Sequence, residues 1–234
     1  MCGRFILTSP GKDLAEHFGL LSGPEISPRF NIAPTQEVAT IKLAPDANGK
    51  RLAYLKWGLV PFWAKDTSIG SSLINARCET LSQKPAFRAA FKRRRLLIPA
   101  NGFYEWMKVK DRKQPYLIQL ADRSLFAFAG LWDHWEGLEN VVLESCTIIT
   151  TESNDLLRPI HDRMPVIISR NDYDSWLNLK VSGQELCQPY PSSEMICFPV
   201  NPKVNRSSYE QPDCIEPALR TESETKFIET IEIQ

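Results

Sequence analysis

EVATIKLAPDANGKRLAYLKW, residues 37–57, is the stretch of sequence that decides the fold. Within Glu37–Leu43 the side chains alternate between two faces, and one of these faces is apolar, which is typical of a strand with a buried side. Arg51–Trp57 is a second strand candidate, and the turn-forming residues Pro45–Gly49 separate the two. The stretch therefore predicts two strands joined by a turn.

Strands also dominate the rest of the chain, and the helices between them are short. Further strands are predicted at Leu96–Pro99, Gly102–Val109, Pro115–Leu120, Leu125–Leu131, Val141–Thr150 and Met195–Val200. Helices are predicted after Ser9, which is a suitable cap for the first of them, and at Pro85–Arg94 and Asp172–Leu179, while Pro24–Pro34 is predicted to be a loop. A doubly wound parallel sheet is not expected, because strands and helices do not alternate regularly.

These patterns predict a single α+β domain. A curved antiparallel sheet or an open barrel is expected at its centre, with short helices interspersed. The domain is expected to cover residues 1–220, and residues 221–234 are expected to form a polar C-terminal tail.

Composition and charge exclude several functional classes. The chain has 234 residues, and 28 basic side chains balance 28 acidic ones, so bulk charge does not attract it to nucleic acid. Any such binding must come from a local basic groove. The basic run Lys92–Arg95 is more typical of a solvated helix end than of a phosphate contact.

Targeting and metal-binding signals are also missing from the sequence. No apolar run is long enough for a transmembrane helix, and no secretory signal pattern is present, so a cytoplasmic protein is expected. The six cysteines are widely spread and are expected to be free thiols. The three histidines are not clustered at ligand spacing, so neither a metal ion nor another cofactor is expected.

The most distinctive chemistry lies in the first four residues, Met1-Cys2-Gly3-Arg4. Methionine aminopeptidase removes Met1 when the second side chain is small, which leaves Cys2 with an α-amino group and a thiol on adjacent carbons. Because these groups titrate near pH 7.7–8.0 and 8.5, both are expected to have a reactive fraction at neutral pH. Such a 1,2-aminothiol condenses with an aldehyde to an imine, which the sulfur then closes to a thiazolidine. The alternative is an incidental cysteine in a mobile terminus.

Three further residues are candidates for chemistry. Glu105 lies among apolar neighbours in a predicted strand, and burial would raise its pKa into the range that suits a general acid or base. Asn75 and His161 are the other two. Each has a structural alternative: Asn75 as a turn residue, Glu105 as the partner of an arginine, and His161 as a buried, hydrogen-bonded side chain.

Taken together, the motifs resemble those of the SOS response-associated peptidase (SRAP) family, in the same order and over residues 2–165. They are Cys2-Gly3-Arg4-Phe5, Phe30-Asn31-Ile32-Ala33-Pro34-Thr35, Trp57-Gly58-Leu59, Asn75-Ala76-Arg77 with Glu79, Gly102-Phe103-Tyr104-Glu105-Trp106 and His161-Asp162-Arg163-Met164-Pro165. A weaker likeness continues from Pro199-Val200 to Glu216-Pro217. Phe198 stands where some members of the family have histidine. The short chain, without a long basic tail, is more typical of a bacterial member than of an animal one.

The resemblance implies a monomeric protein that senses abasic sites in single-stranded DNA and crosslinks to them through Cys2. The family name also implies a peptidase activity that would release Met1, which is secondary because an aminopeptidase suffices. An imine also permits β-elimination, which predicts a weak abasic-site lyase activity. Cys2, Asn75, Glu105 and His161 are the catalytic candidates that the resemblance implies. The DNA-binding candidates are Arg4, Arg77 and Arg163 for phosphates, Trp63 and Trp106 for base stacking, and Asn31, Met164 and Pro165 beside them.

Two other functions are compatible with the sequence. In the first, Cys2 is the nucleophile of an N-terminal-nucleophile amidohydrolase or peptidase, with its own α-amine as the base. In the second, the protein is a non-covalent reader of single-stranded DNA. Turnover of an amide would favour the former, and salt-sensitive binding without an adduct would favour the latter.

Overall fold

The structure is a computed structural model that describes residues 2–44, 49–110, 112–138 and 141–218. The predicted turn at Pro45–Gly49 lies outside the described residues except for Gly49, and so do the predicted domain boundary at residue 220 and the tail that follows it.

Strands are the predominant regular secondary structure of the described chain. In order, they are β1 (Phe5–Leu7), β2 (Arg29–Ile32), β3 (Glu37–Leu43), β4 (Lys50–Trp57), β5 (Asn75–Arg77), β6 (Arg95–Ala100), β7 (Gly102–Val109), β8 (Arg112–Leu120), β9 (Phe126–Glu136), β10 (Val142–Glu152), β11 (Arg163–Pro165), β12 (Ile167–Ile168) and β13 (Met195–Pro199). The α-helices are α1 (Gly11–Phe18), α2 (Pro85–Arg93) and α3 (Tyr173–Leu177). In the part of the chain that the structure describes, no helix has the length and apolar character needed to cross a membrane.

A closed ring of strands forms the centre of the fold. Strands β10, β4, β3, β6 and β9 are hydrogen-bonded in that order, and β9 pairs back with β10. The ring is antiparallel except where β10 meets β4, which pair in parallel with Ser145 opposite Lys56. A second, fully antiparallel sheet has the order β13-β8-β7-β1-β2. The α+β fold with a barrel core is therefore confirmed, and the parallel pairing is what closes the barrel.

Aromatic packing joins the second sheet to the barrel. The ring of Phe5 in β1 lies 5.3 Å from that of Trp57 and 5.7 Å from that of Phe128, in edge-on geometry. Phe103 in β7 contacts the same Phe128 ring at 5.9 Å. All four side chains are buried. Because edge-on aromatic pairs add to the gain from burial, this cluster holds β1 and β7 against the barrel.

Gly58, which follows β4, has to be a glycine on steric grounds. Its φ is +134°, and a Cβ atom there would lie 2.7 Å from the carbonyl oxygen of Gly70. The amide of Gly58 donates to Cys146 O at 2.8 Å, and the indole of Trp57 donates to Ile74 O at the same distance. The Trp57-Gly58-Leu59 motif is thus fixed next to β5, the strand that begins at Asn75.

The observed strands differ from the predicted ones where a strand is short or contains polar residues. The predicted loop Pro24–Pro34 contains strand β2, because its residues Arg29–Ile32 pair with β1. Strand β9 continues to Glu136, five residues beyond the predicted end at Leu131. The pairing of this extension with β10 explains the difference, since it provides backbone partners for Asp133 and His134.

Ser9 does not cap the first helix, contrary to the prediction. The cap position of α1 is occupied by Pro10, which provides no side-chain hydrogen bond. Ser9 is instead held by Asn101, whose Oδ1 accepts from the amides of Thr8 and Ser9 and whose Nδ2 donates to Ser9 Oγ at 2.8 Å. Ser9 therefore helps to fix the segment that precedes α1 and does not cap the first turn of the helix.

The basic run is only partly solvated. Lys92 and Arg93 are exposed, as predicted. Arg94 forms an ion pair with the buried Asp133 at 3.0 Å. Arg95 is buried, with its guanidinium 4.9 Å from the ring of Phe91 and 4.8 Å from that of Trp176. The prediction of a solvated run is wrong for Arg94 and Arg95, because an internal carboxylate and two aromatic rings surround them.

Replacing Asn101 by alanine is expected to destabilise the protein by about 2 kcal/mol, because two amide donors lose their shared acceptor. Urea unfolding followed by circular dichroism measures the change. Asn171→Ala, at an exposed site, is the control and should cost less than about 0.5 kcal/mol. Equal stabilities of the two variants would contradict the anchoring role of Asn101.

Candidate active site

Cys2 lies just before β1 and is fully buried. Strand β1 pairs with β7 through Phe5 and Phe103, and the amide of Tyr104 donates to Arg4 O at 2.9 Å. This pairing runs the first residues of the chain alongside the strand that carries Glu105. The sequence alternative of a mobile terminus is wrong for Cys2, because this pairing and the aromatic cluster fix the segment.

Asn75 is the first residue of β5 and contacts Cys2 directly. Its Nδ2 donates to the carbonyl oxygen of Cys2 at 2.8 Å. Its Oδ1 is buried and accepts no hydrogen bond within the described residues. An unsatisfied buried acceptor is costly, so this oxygen is suited to receive a hydrogen bond from a bound hydroxyl group.

Glu105 is a buried residue of β7, at 3% exposure. Burial raises the pKa of its carboxyl group from 4.5 to about 7, and the positive charge of the amino terminus partly opposes this shift. At neutral pH the group is therefore close to equally populated in its two protonation states. That is the property expected of a group that both gives and accepts protons.

His161 lies just before β11 and is held in one orientation. Its Nδ1 accepts a hydrogen bond from the amide of Arg163 at 2.9 Å, and its carbonyl oxygen accepts one from Ser153 Oγ at 2.6 Å. Asp162 Oδ1 also lies 2.9 Å from Nδ1, but the Asp162 side chain is 87% exposed, so the backbone donor decides which nitrogen is protonated. Burial and the charge of the amino terminus lower the pKa of His161. The neutral ring therefore carries its proton on Nε2.

The structure brings these four side chains into one site. The side chain of Asn75 is hydrogen-bonded to the carbonyl oxygen of Cys2, and the charge of Glu105 raises the pKa of the Cys2 thiol. The charge of Asp162 acts on Glu105, and the charge of the amino terminus acts on both Glu105 and His161. Residues separated by up to 159 positions along the chain thus share one electrostatic environment.

The state of the Cys2 thiol differs from the sequence expectation. Burial, together with the negative charge of Glu105, raises the pKa of Cys2 far above that of an exposed thiol. Burial therefore favours the neutral thiol over the thiolate at pH 7. Any reaction at sulfur must remove the proton during the step itself.

Arg4 and Asn31 hold the segment that follows β13. Arg4 Nη1 donates to Asn31 Oδ1 at 2.8 Å and to Val204 O at 3.0 Å. Asn31 is fully buried, and its Nδ2 donates to three backbone carbonyl oxygens of that segment, those of Val204, Arg206 and Tyr209. The predicted contacts of Arg4 and Asn31 with DNA stay predictions.

The two tryptophan candidates differ in their surroundings. The guanidinium of Arg4 lies 5.8 Å from the ring of Trp106, and the indole of Trp106 donates to Asn205 Oδ1 at 2.7 Å. Trp63 is 48% exposed on a segment whose neighbouring amide, that of Phe62, donates to the buried Asp133. Trp63 is therefore accessible for stacking, whereas Trp106 is partly buried against its neighbours.

The remaining candidates lie around β10. Arg77, at the end of β5, is exposed. Arg163 is bonded to both oxygens of Glu79, at 2.7 and 3.1 Å, and to Thr150 O at 2.7 Å. Met164 and Pro165 are buried in β11, so their side chains belong to the core.

Three residues around the site were not identified as functional from the sequence. They are Ser153, which binds the His161 carbonyl, Asn205, which binds Trp106, and Glu79, which pairs with Arg163. Glu79 lies within a matched motif and could have been found there. Asn205 has no local signal because its partner Trp106 is 99 residues away, and Ser153 belongs to none of the matched motifs although its partner His161 is only eight residues away. The described part of the chain has no cluster of three or more histidine, cysteine or carboxylate side chains suited to a metal ion.

The sequence matches a protein family and is similar to proteins of several organisms. The family described as SOS response associated peptidase (SRAP) matches residues 1–207. The abasic site processing protein YoqW of Bacillus subtilis is 44% identical over 224 residues, which cover 92% of this chain and 99% of that protein. The abasic site processing protein HMCES of Xenopus tropicalis is 29% identical over 221 residues, 84% of this chain and 66% of that protein.

The fold was also compared with solved structures. A crystal structure of a protein from Bacteroides thetaiotaomicron superposes with a TM-score of 0.84 at 24% identity and covers 93% of this chain and 100% of that one. A protein from Bordetella bronchiseptica superposes with a TM-score of 0.74 at 24% identity, covering 86% of this chain and 100% of that one. These similarities confirm the architecture.

The raised pKa of Glu105 predicts a pH-dependent loss of stability. Between about pH 4.5 and 7, the folded carboxyl group keeps a proton that the unfolded one has released, so the free energy of unfolding falls as the pH rises through this window. This fall should be smaller in Glu105→Gln than in the wild type. Urea unfolding at pH 5 and pH 8 measures it, with the exposed Glu25→Gln as the control. A fall of the same size in wild type and Glu105→Gln would show that the carboxyl group has an ordinary pKa.

Proposed function

The chain belongs to the SOS response associated peptidase family, and from that membership and its site we propose that it processes abasic sites in single-stranded DNA by forming a covalent crosslink through Cys2. The observation that carries the proposal is the convergence of Cys2, Asn75, Glu105 and His161 around the start of the chain. The similar proteins named abasic site processing proteins support the choice of substrate.

The substrate is chosen by its electrophile. An abasic deoxyribose in its ring-opened form presents an aldehyde at C1′. After removal of Met1, Cys2 presents an amine and a thiol that are both able to bond to that one carbon. A thiazolidine results, which an internal cysteine is unable to form.

The reaction begins at the amine. The neutral α-amino nitrogen of Cys2 adds to C1′, and a water molecule leaves to give the imine. Glu105 acts in both directions, because a carboxyl group with a pKa of about 7 is able to protonate the departing oxygen and to accept a proton from the amine. Asn75 Oδ1 accepts a hydrogen bond from a sugar hydroxyl group, and the Nε2–H of neutral His161 donates to a sugar oxygen.

Ring closure uses the neutral thiol. Sγ of Cys2 adds to the imine carbon, and the thiol proton ends on the nitrogen, with Glu105 as the carrier. The overall change joins an aldehyde and an aminothiol with release of one water, and nothing is oxidised or reduced. Because the thiol starts protonated, ring closure depends on a nearby base. Glu105 is the candidate for this base, since its charge already affects the pKa of the Cys2 thiol.

DNA is held by the basic and aromatic side chains around the site. We assign phosphate contacts to Arg4, Arg77 and Arg163 and base stacking to Trp63 and Trp106, with Asn31, Met164 and Pro165 shaping the surface beneath them. Because the net charge of the chain is zero, affinity rests on this local surface. The protein is expected to act as a monomer in the cytoplasm, associated with the nucleoid when bound.

Two side activities belong to the same proposal. Attack by Cys2 Sγ on the Met1 carbonyl carbon would break the Met1–Cys2 amide bond and form a thioester, and hydrolysis of the thioester by water would release Met1 without an aminopeptidase. The imine also permits β-elimination of the 3′ phosphate, which amounts to a weak abasic-site lyase activity. Both are secondary to crosslink formation.

Crosslinking is tested with the untagged protein and a single-stranded oligonucleotide that carries one abasic site. A heat-stable band of low mobility is expected on a denaturing gel. Cys2→Ala should give only a reversible imine that borohydride traps, because it keeps the amine and loses the sulfur. Cys197→Ala, which removes a thiol elsewhere, is the control and should behave like the wild type.

Other outcomes of this experiment select the alternatives. If the wild type gives no band although mass spectrometry shows that Met1 is absent, the crosslinking proposal is wrong. Hydrolysis of amide substrates under those conditions would indicate an N-terminal-nucleophile hydrolase. Salt-sensitive binding without an adduct would indicate a non-covalent reader.

Glu105→Gln tests the acid–base role. At pH 7 and saturating DNA, the rate of adduct formation is expected to fall about 100-fold, the usual contribution of a positioned acid or base. The wild-type rate should change with an inflection near pH 7, and the variant should lose this inflection. Affinity for an undamaged oligonucleotide should be unchanged. A variant that reacts at the wild-type rate would remove Glu105 from the mechanism.

A further inference from the structure

Glu79 and Arg163 form an ion pair that spans strand β10. Arg163 Nη1 and Nη2 lie 2.7 and 3.1 Å from the two carboxylate oxygens of Glu79. Nη2 also donates to the backbone oxygen of Thr150 in β10, at 2.7 Å. Bidentate arginine–carboxylate contacts of this kind fix the relative orientation of the two planar groups as well as their separation.

The ion pair joins the two strands that carry catalytic candidates. Glu79 lies in the turn Cys78–Thr80, directly after β5, and Arg163 begins β11. Both strands pair with the same part of β10: Thr150 lies opposite Arg77 on one side and opposite Pro165 on the other. Beyond β10 itself, the Glu79–Arg163 contact is therefore a second, side-chain link between them.

Each side of this ion pair is connected to a catalytic candidate through its own strand or backbone. On the β5 side, Asn75 donates to Cys2 O. On the β11 side, the amide of Arg163 donates to Nδ1 of His161 and thereby sets which ring nitrogen carries the proton. A change in the position of Arg163 would move the imidazole relative to Asn75 and Cys2.

The charges of the pair also reach the site. Arg163 lowers the pKa of Glu79 to about 2, so the carboxylate stays ionised at working pH. Burial and the charge of the amino terminus lower the pKa of His161, Asp162 and the hydrogen bond from the Arg163 amide raise it, and the positive charge of Arg163 makes the smallest contribution, which lowers it. Glu79 neutralises much of the Arg163 charge at close range.

We propose that Glu79 is a positioning residue of the crosslinking reaction, which acts through Arg163 to hold His161 in register with Asn75 and Cys2. The inference rests on the proposed function for its consequence in catalysis. The side chain of Arg163 is 13% exposed and is hydrogen-bonded to Glu79 and Thr150, so besides the phosphate contact proposed above its guanidinium serves as a clasp between β5 and β11.

Glu79→Gln is the test, because it keeps the shape of the side chain and removes the charge. Adduct formation at saturating abasic DNA is expected to slow about 10-fold, since small displacements of reacting groups cost that much or more. The dissociation constant for an undamaged oligonucleotide should not rise. Glu152→Gln is the matched control, because Glu152 is exposed, lies opposite Arg163 in β10 and carries the same charge as Glu79. This variant should react within twofold of the wild type.

An NMR titration of the His161 imidazole gives a readout that needs no reaction. Without Glu79 the Arg163 charge is less compensated, so the pKa of His161 should move lower in Glu79→Gln than in Glu152→Gln. A purely structural role for Glu79 would lower the melting temperature without this movement. If either the rate or the His161 titration of Glu79→Gln matches that of Glu152→Gln, the proposal is wrong.

A shorter acid provides a second variant in case Glu79→Gln does not fold. Glu79→Asp keeps the charge but is too short to engage both nitrogens of Arg163, so an intermediate rate is expected, and a wild-type rate would overturn the proposal. Failure of the proposed function is recognised separately, because then the wild type itself forms no adduct. The titration of His161 would still decide whether Glu79 and Arg163 set the state of the imidazole.

Discussion

The burial of Phe5 is the constraint on which the rest of the structure depends. Its ring packs edge-on against Trp57 and Phe128, and this contact draws β1 between β2 and β7. A chain terminus is normally the most mobile part of a domain. Here the aromatic cluster turns it into an interior segment, so that Cys2 is held where its carbonyl oxygen accepts from Asn75 and the charge of Glu105 acts on its thiol. From the other side, β10 supports both β5 and β11 and so brings Asn75 and His161 to the same place.

The long strands could be predicted from the sequence, and the short ones could not. Glu37–Leu43 and Gly102–Val109 have the predicted bounds, because eight or so residues are enough to display a two-residue period. Strands of two or three residues, such as β5 and β12, have no room for a period and exist only because a partner strand lies beside them. The end of β9 was missed because Asp133 looks like a loop residue, although Arg94 neutralises it inside the fold.

The chemistry of the site was easier to predict than its geometry. The aminothiol of Cys2 and the raised pKa of Glu105 follow from residue types and from apolar neighbours in sequence, and burial of Glu105 confirms the latter. The neutral state of the Cys2 thiol was missed, because the sequence does not reveal how completely the segment is buried. The orientation of His161 is set by the amide of Arg163, two residues further along the chain, and the Arg163 side chain is bonded to Glu79 and Thr150, contacts that need β5, β10 and β11 side by side.

The position of β1 inside its sheet also has a mechanical consequence. Both of its neighbours run antiparallel to it, and the hydrogen bonds lie across the strand axis. A tension applied at residue 2 along the chain direction therefore loads these bonds together, in shear, rather than opening them one after another. A polymer tethered at Cys2 would pull on a segment that is hydrogen-bonded on both sides, and the attachment point would resist extraction until the aromatic cluster around Phe5 gave way.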